Sequence, residues 1–163
     1  MRVLVTGHRG FIGQYVFADW RRELGYANVH GIDKPDCVSD FKGGDYDLVI
    51  HLAAWANIRE SLENPAEYYE NNVIKAKPLF DWCSQTNTRL LYASSSVVDG
   101  NYWENPYAMS KWVNEQMAPP NSVGMRFTTV YAPDSRDNMM YGLLRDKKAT
   151  YVTNHRRDWI HVH

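Results

Sequence analysis

Two groups of residues have types and spacings that could perform chemistry. Three glycines follow at intervals of three, Gly7, Gly10 and Gly13, between a short β-branched run and a helical pattern. In that context the first glycine permits a tight turn, the second lets the backbone approach a pyrophosphate, and the third allows close packing of helix on strand. The amide groups at the start of the helix would then bind the phosphates. The segment predicts a dinucleotide-binding loop, with a plain strand-to-helix turn as the alternative.

An acidic residue stands where a dinucleotide needs one. Asp33 lies 20 residues after Gly13, at the end of a second predicted strand. A carboxylate there accepts hydrogen bonds from the adenosine ribose and repels a 2′-phosphate, which favours NAD over NADP. Arg9 leaves NADP as a minority alternative, and an ordinary turn aspartate is the structural alternative for Asp33.

The second group consists of a tyrosine, a lysine and a run of serines. Tyr107 and Lys111 are four residues apart on a predicted helix, so both side chains project from one face. We expect the Lys111 ammonium to lower the pKa of the phenol from its usual value near about 10, which makes Tyr107 a general base. Alone, the pair is weak, because a solvated helix face explains it as well. It follows the cluster Ser94-Ser95-Ser96, however, which ends a predicted strand.

Short buried strands alternate with helical stretches along the chain. Strands are predicted over residues 3–5, 28–33, 37–41, 48–52, 89–93 and 123–130, and longer helices over 11–20, 58–85 and 107–117. This alternation predicts a doubly wound α/β fold with a parallel sheet. Because ligands of such sheets bind beyond the carboxyl ends of the strands, the glycine loop and the serine cluster are expected at one edge.

Composition excludes several classes of function. The chain has 163 residues, with 18 Lys and Arg against 19 Asp and Glu, so no basic field attracts nucleic acid or an anionic membrane. No apolar run approaches the length of a membrane span, and the N-terminal apolar segment is too short for a signal peptide. Cys37 and Cys83 fit no metal or redox spacing. We therefore expect free thiols, no metal and a cytoplasmic protein.

Several segments together resemble the extended short-chain dehydrogenase/reductases, and among them the NAD-dependent nucleotide-sugar epimerases and dehydratases. They occur in the family's order, at residues 6–13, 51–54, 58–65, 72–73, 93–96, 106–111, 125–127 with 130, 131 and 133, and 157–162. The resemblance implies a Rossmann-like NAD-binding domain over residues 1–133 and a short, incomplete substrate-binding region over residues 134–163. It also implies a homodimer formed through the helices within residues 58–85 and 107–117.

The resemblance assigns roles to individual residues. Ser95, Tyr107 and Lys111 match the catalytic serine, the base and its lysine partner. Cofactor-binding positions are matched by Gly7, Arg9, Gly10, Phe11, Ile12, Gly13, Asp33, Asp40, Phe41, Leu52, Ala53, Ala54 and Asn72, together with Tyr107 and Lys111. Substrate-binding positions are matched by Ser95, Ser96, Thr129 and Arg157. For Asn72, a structural role inside its helix is the alternative.

The residues that follow Ser95 narrow the reaction that the resemblance implies. Ser96 and Val97 stand where dehydratases have an acid and a base, and Asp134 stands where double epimerases have a histidine. What remains is reversible oxidation at a sugar hydroxyl. We therefore expect NAD-dependent 4-epimerisation of a nucleotide-diphosphate sugar. The alternatives are a nucleotide-sugar reductase or decarboxylase and a non-catalytic NAD-binding module.

Overall fold

The computed structural model describes residues 1–34, 36–136, 139–149 and 158–163. The strands are β1 (Val3–Thr6), β2 (Val29–Ile32), β3 (Leu48–His51), β4 (Arg89–Ser95), β5 (Ser122–Phe127), β6 (Thr129–Tyr131) and β7 (Trp159–His161). The α-helices are α1 (Phe11–Leu24), α2 (Ile58–Glu63), α3 (Pro65–Tyr69), α4 (Lys77–Thr86), α5 (Pro106–Met117) and α6 (Met140–Arg145). Within these ranges no helix is both long enough and apolar enough to cross a lipid bilayer.

The chain divides into two compact units. The first unit is Met1–Arg126 and the second is Phe127–His163. The sequence places the change from cofactor domain to substrate region later, after residue 133, and the function assigned to each part stays a prediction.

The first unit is built on a sheet of five strands in the order β2-β1-β3-β4-β5. The strands β1, β2, β3 and β4 pair in parallel, with Val3 opposite both Val29 and Leu48. Strand order reverses between β1 and β3, so their carboxyl ends open a crevice of the kind in which α/β proteins bind ligands. The doubly wound, Rossmann-like fold predicted from the sequence is confirmed.

Helices cover both faces of this sheet because alternate residues of each strand point to opposite sides. On one face, Val3 and Val5 pack with the other buried strand residues against the apolar side of α1, including Phe17. On the other face, Leu4 and its neighbours pack against α4, including Phe80. The two layers leave the carboxyl edge of the sheet free for polar side chains.

Local structure differs from the sequence-based expectation in three places. Residues 37–41, expected as a short strand, contain a 3₁₀ turn, Val38–Asp40. The helical stretch expected over residues 58–85 is divided into α2, α3, a π turn (Glu70–Ile74) and α4. Prolines cause part of this division, because Pro65 and Pro78 lie at the beginnings of α3 and α4. A proline in the first turn of a helix removes no helical hydrogen bond, so Pro78 begins α4 without kinking it.

The third difference concerns the strand expected over residues 123–130. It is interrupted after Phe127, and β6 pairs in parallel with β7 in a separate sheet of two strands. This small sheet belongs to the second unit, where the ring of Tyr131 packs against Tyr141 on α6 and Trp159 on β7. The sequence also predicts a short strand-like piece at residues 150–153, which lies outside the described residues.

Candidate active site

The glycine loop connects β1 to α1 and depends on the absence of side chains. Gly7 has a φ of +72°, and a Cβ there would lie 2.6 Å from the backbone nitrogen of Ala53. A Cβ on Gly13 would lie 2.0 Å from the carbonyl oxygen of Gly7. Gly10, by contrast, would place a Cβ 3.0 Å from the Gly7 oxygen and meet no other atom within 4 Å. The loop therefore has no room for a side chain at Gly7 or Gly13, whereas Gly10 is less crowded.

The beginning of α1 suits a phosphate group. Among the described residues, no side chain caps its N-terminus at Gly10, and its first turn holds no acidic residue. Phe11 and Ile12 belong to this turn, so their amides lie at the positive end of a helix of 14 residues. An anion at this position would supply the acceptors that the protein itself does not. The loop thus fits the pyrophosphate of a dinucleotide.

Asp33 follows β2 and is held beside the glycine loop. Its Oδ2 accepts a hydrogen bond of 2.7 Å from the Arg9 amide, and its Oδ1 accepts one of 2.8 Å from the Lys34 amide. Each carboxylate oxygen has room for a further hydrogen bond, so Asp33 can also accept ribose hydroxyls. The Arg9 guanidinium donates to the Lys34 carbonyl oxygen at 2.9 Å, which keeps a cation near this position.

The remaining cofactor candidates divide into backbone and side-chain positions. Leu52, Ala53 and Ala54 follow β3, where the Ala53 amide donates to the Thr6 hydroxyl at 3.3 Å. Asp40 is exposed at the end of its turn. The ring of Phe41 is directed into the core instead, with its centroid 5.2 Å from that of Trp82.

Ser95, Tyr107 and Lys111 come together although they lie on different elements. Ser95 ends β4, and Tyr107 and Lys111 lie on α5; all three side chains are at least nine-tenths buried. The Ser95 hydroxyl lies close enough to the Tyr107 phenol to favour its ionised form. Lys111 Nζ lies 5.9 Å from the centre of the Tyr107 ring and donates to the Ala93 carbonyl oxygen at 2.9 Å. The group has the composition of a general base with a hydrogen-bonding partner and a nearby cation.

Burial governs the proton affinities of this group. It lowers the pKa of Lys111 to about 8. It raises the pKa of Tyr107 above the ordinary phenol value, and the hydrogen bond with Ser95 offsets part of the rise. The direction is opposite to the lowering expected from the sequence, because desolvation of the phenolate is the largest influence on Tyr107 in the protein alone.

The backbone of Tyr107 is held by two buried serines. Its amide donates to the Ser61 hydroxyl of α2 at 3.3 Å, and its carbonyl oxygen accepts from the Ser110 hydroxyl at 2.7 Å. The Asn105 side chain caps the same helix by accepting from the Ala108 amide at 2.7 Å. Ser61 and Ser110 were not predicted from the sequence. Only the spacing of Ser110 from Tyr107, within one helical turn, could have indicated it.

Asn72 connects the loop after β3 to the helix of Tyr107. Its Oδ1 accepts from the Trp55 amide at 2.8 Å, and its Nδ2 donates to the Trp55 carbonyl oxygen at 2.9 Å and to the Ser110 hydroxyl at 3.1 Å. With 1% of its surface exposed, the side chain has no open face. These contacts support the structural role considered for Asn72; its assignment as a direct cofactor ligand stays a prediction.

His51 ends β3 between the two groups of the site. Its Nδ1 shares a hydrogen bond of 2.7 Å with the Thr6 hydroxyl. Burial, with a smaller contribution from the Lys111 charge, lowers the pKa of His51 to about 3. The imidazole is therefore neutral in the folded protein at neutral pH.

The other substrate candidates are placed as follows. Ser96 begins the 3₁₀ turn Ser96–Asp99 directly after Ser95. Thr129 lies in β6 of the second unit, and Arg157 lies outside the described residues. The roles of all three toward a substrate stay predictions.

Comparison with known proteins identifies the family. The family model described as "NAD dependent epimerase/dehydratase family" matches residues 3–163. The chain belongs to this family. Membership confirms the resemblance found in the sequence, and NAD, the predicted cofactor, is the cofactor in the family's description.

Individual relatives of this epimerase/dehydratase chain are distant. UDP-glucuronate 4-epimerase 4 of Arabidopsis thaliana is 28% identical over 191 residues, covering 85% of this chain and 44% of that protein. Protein CapI of Staphylococcus aureus is 29% identical over 192 residues, covering 85% of this chain and 57% of that protein. The chain thus spans about half the length of the curated relatives it matches.

Solved structures agree with the fold. MoeE5 in complex with UDP-glucuronic acid and NAD superposes with a TM-score of 0.84 at 27% identity, covering 99% of this chain and 68% of that chain. UDP-glucose 4-epimerase of Thermus thermophilus, in complex with NAD, superposes with a TM-score of 0.73 at 24% identity, covering 99% and 71%. The second likeness concerns the fold alone.

Proposed function

We propose that this protein is an NAD-dependent epimerase that inverts C4 of a nucleotide-diphosphate sugar. The observation that carries the proposal is the buried group of Ser95, Tyr107 and Lys111, with the Lys111 ammonium 5.9 Å from the centre of the Tyr107 ring. It lies at the carboxyl edge of a sheet whose glycine loop fits a pyrophosphate. Relatives named as UDP-glucuronate 4-epimerases support the choice of C4 and of a UDP-sugar.

In this reaction Tyr107 takes the proton of the C4 hydroxyl, and Ser95 holds the same oxygen through its hydroxyl group. Bound NAD would supply the hydride acceptor and the positive charge that favours a phenolate. Lys111, held by the Ala93 carbonyl oxygen, keeps a cation beside the phenolate after proton transfer. Tyr107 then returns the proton to the oxygen once the sugar presents its other face.

The glycine loop and Asp33 would hold the two ends of the adenosine diphosphate part. The loop supplies amides and the helix N-terminus for the phosphates, and Asp33 supplies acceptors for the ribose. Asn72 fixes the Trp55 backbone and Ser110 together, so the loop after β3 and the helix of Tyr107 move as one. These hydrogen bonds would help to hold the base in place beside a bound cofactor.

The test is conversion of UDP-glucuronic acid or UDP-glucose by the purified chain supplied with NAD. We expect the C4 epimer to form without net reduction of NAD and, in D₂O, without deuterium at C4, because the same hydride returns. Deuterium at C4 would contradict the mechanism. Consumption of reduced cofactor would instead assign a reductase, and NAD binding without turnover of any nucleotide sugar would assign a binding module.

We also propose a cytoplasmic homodimer. On the two helical stretches expected to form the dimer, Trp82 packs inside the protomer against Phe41, and Trp112 stacks on Tyr102 with ring centres 4.7 Å apart. Apolar side chains that remain exposed on the same stretch of helices are Ile58, Leu62, Tyr69 and Ile74. They are available for a second copy, and both cysteines are free thiols, which suits a reducing compartment. A monomeric mass in sedimentation would contradict the dimer.

A further inference from the structure

A carboxylate on the helix of Tyr107 contacts the strand end that carries Ser95. Glu115 lies on α5, one turn after Lys111, and its Oε1 accepts a hydrogen bond of 2.5 Å from the Ser94 hydroxyl. Ser94 immediately precedes Ser95 and is 3% exposed. The contact therefore joins β4 to α5 next to Ser95, on the helix that carries Tyr107.

Arg126 holds this carboxylate from β5. Its Nε donates to Glu115 Oε1 at 2.9 Å and its Nη2 donates to Oε2 at 2.6 Å, so the pair is bidentate. The guanidinium keeps the pKa of the Glu115 carboxyl below its ordinary value. Glu115 thus remains an ionised acceptor for Ser94, and a bidentate geometry restricts where that acceptor can lie.

The same guanidinium also contacts the far end of the serine segment. Arg126 Nη1 donates to Asp99 Oδ1. Asp99 ends the turn Ser96–Asp99, whose first residue follows Ser95. The segment 94–99 is therefore attached at both ends, at Ser94 through Glu115 and at Asp99 directly, to one charged cluster.

The two attachments differ in solvent exposure. The Glu115 side chain is 14% exposed, whereas that of Asp99 is 63% exposed. A bond at the protected attachment is screened less by water and salt than one at the surface. We expect the Glu115 attachment to contribute more to holding segment 94–99 in position than the Asp99 attachment does.

We propose that Arg126, Glu115 and Asp99 are positioning residues that keep the Ser95 hydroxyl within hydrogen-bonding reach of the Tyr107 phenol. The catalytic consequence rests on the proposed function, but the placement of the two side chains does not. Ser95 and Tyr107 belong to different elements, β4 and α5, and the Ser94–Glu115 bond joins these two elements directly. Arg126 makes this junction rigid from a third element, β5.

The experiment measures the pKa of Tyr107 in the folded protein with NAD bound, by NMR of ¹³C-labelled tyrosine, with Tyr107→Phe assigning the signal. Arg126→Met removes the attachment at Asp99 and the bidentate support of Glu115, and leaves Ser94 bonded to a Glu115 carboxylate that Arg126 no longer holds in place. We expect it to raise the pKa of Tyr107 by about 0.5–1 unit, because the Ser95 bond that favours phenolate is weakened. Epimerisation should slow by roughly 10–100-fold in kcat, the range expected for a misplaced catalytic group, with KM changed less than about twofold.

Asp99→Asn tests the exposed attachment without endangering the fold. We expect a smaller rise in the pKa of Tyr107 and a fall in kcat of about two- to fivefold, as for a surface ion pair. Asp81→Asn is the matched control, because Asp81 pairs with Lys77 at the surface of α4, with Lys77 Nζ 2.6 Å from Asp81 Oδ2. It should move neither quantity.

Each outcome decides the proposal. An unchanged pKa of Tyr107 in folded Arg126→Met overturns it, whether or not the enzyme turns over. If Arg126→Met does not fold, an unchanged pKa of Tyr107 in Asp99→Asn overturns it. A raised pKa of Tyr107 in Arg126→Met, when the wild-type chain shows no epimerase activity, would support the positioning role while rejecting the proposed reaction, so the two failures are distinguishable.

Discussion

The two halves of the candidate site are held in different ways. The glycine loop is held through its backbone amides: the Gly7 amide donates to the Ile32 carbonyl oxygen at 2.8 Å and the Gly10 amide to the Gly7 carbonyl oxygen at 2.9 Å. The half that contains Tyr107 is held by side chains from distant parts of the chain. Ser61 lies 46 residues from Tyr107 in sequence, and Asn72 lies 38 residues from Ser110.

This difference fits the roles proposed for the two halves. A pyrophosphate is bound by amides and a helix dipole, which any chain with the right turn provides. Proton transfer requires a phenol, a hydroxyl and an ammonium at fixed positions, and these come from separate elements. Cofactor binding and turnover should therefore be separable by mutation, and the predictions below test that separation.

The largest effect is expected from Tyr107→Phe, which removes one oxygen from the chemical half. Turnover should fall by about 10²–10⁴-fold, the usual contribution of general acid–base catalysis. NAD affinity and thermal stability should change little, because the glycine loop is untouched and the ring still packs. Single-turnover epimerisation measures the rate that depends on Tyr107, and NAD titration measures the affinity that depends on the glycine loop. Tyr26→Phe, at an exposed tyrosine after α1, is the control.

Equal rates for wild type and Tyr107→Phe would remove Tyr107 from the mechanism and leave only the cofactor half as a site. Lost NAD binding in the variant would show instead that the two halves are not separable.

The second prediction concerns His51, which lies between the halves. Its folded pKa of about 3 is below the usual 6.5, so the unfolded chain binds the additional proton between these values. The free energy of unfolding should fall as the pH decreases from 6.5 to about 3, by up to about 5 kcal/mol from this residue alone. It should be unaffected by His51 above pH 6.5.

Urea unfolding of wild type and His51→Gln over that pH range measures this contribution. Because a glutamine side chain cannot take up a proton, the variant should lose stability less steeply on acidification. Parallel curves for the two proteins would contradict a neutral, buried His51.

The third prediction tests the close packing of the glycine loop, which forms the backbone half of the site. Gly13→Ala places a methyl group 2.0 Å from the Gly7 carbonyl oxygen, so the loop must shift. We expect a stability loss of about 1–3 kcal/mol, as for other overpacked sites, together with weaker NAD binding. Gly100→Ala is the control, because its nearest contact would be 3.9 Å away. Equal melting temperatures for the two variants would contradict the conclusion that Gly13 has no room for a side chain.

The smallest effect is expected from Asp33→Ala. NAD should bind about tenfold more weakly, because one charged acceptor for the ribose is lost, while NADP should bind better once the repulsion is removed and Arg9 remains nearby. Fluorescence titration with both cofactors measures the change in preference. Equal losses for NAD and NADP would reject the assignment of Asp33 to the ribose.

The backbone half was predictable from the sequence because its determinants are local. The three glycines, the strand before them and the helix after them lie within residues 3–24, and Asp33 follows at a spacing set by one βαβ unit. The position of Phe41 was not predictable in the same way: its half-buried ring packs against the core beside Trp82. Hydrophobicity alone does not tell whether such a ring packs against the core or lies on the surface.

The chemical half was predictable only in part. Helical spacing places Tyr107 and Lys111 on one face, and the same spacing places Glu115 there as well, although its contact with Ser94 could not be foreseen. Ser61 and Asn72 contact α5 through tertiary packing that no local pattern encodes. The rise in the pKa of Tyr107 was missed for the same reason, because the degree of burial depends on the complete fold.

The π turn Glu70–Ile74 has a consequence for the lengths of related sequences. Such a turn accommodates a residue that an α-helix would not, and its distorted backbone leaves the Asn72 carbonyl oxygen accepting from the Asn114 side chain at 3.0 Å. Deleting one residue here would restore regular α-helix but rotate one flank against the other by about 100°. Asn72 would then leave Trp55 and Ser110. A single-residue gap at this point should therefore be far less tolerated than gaps of similar length in surface loops.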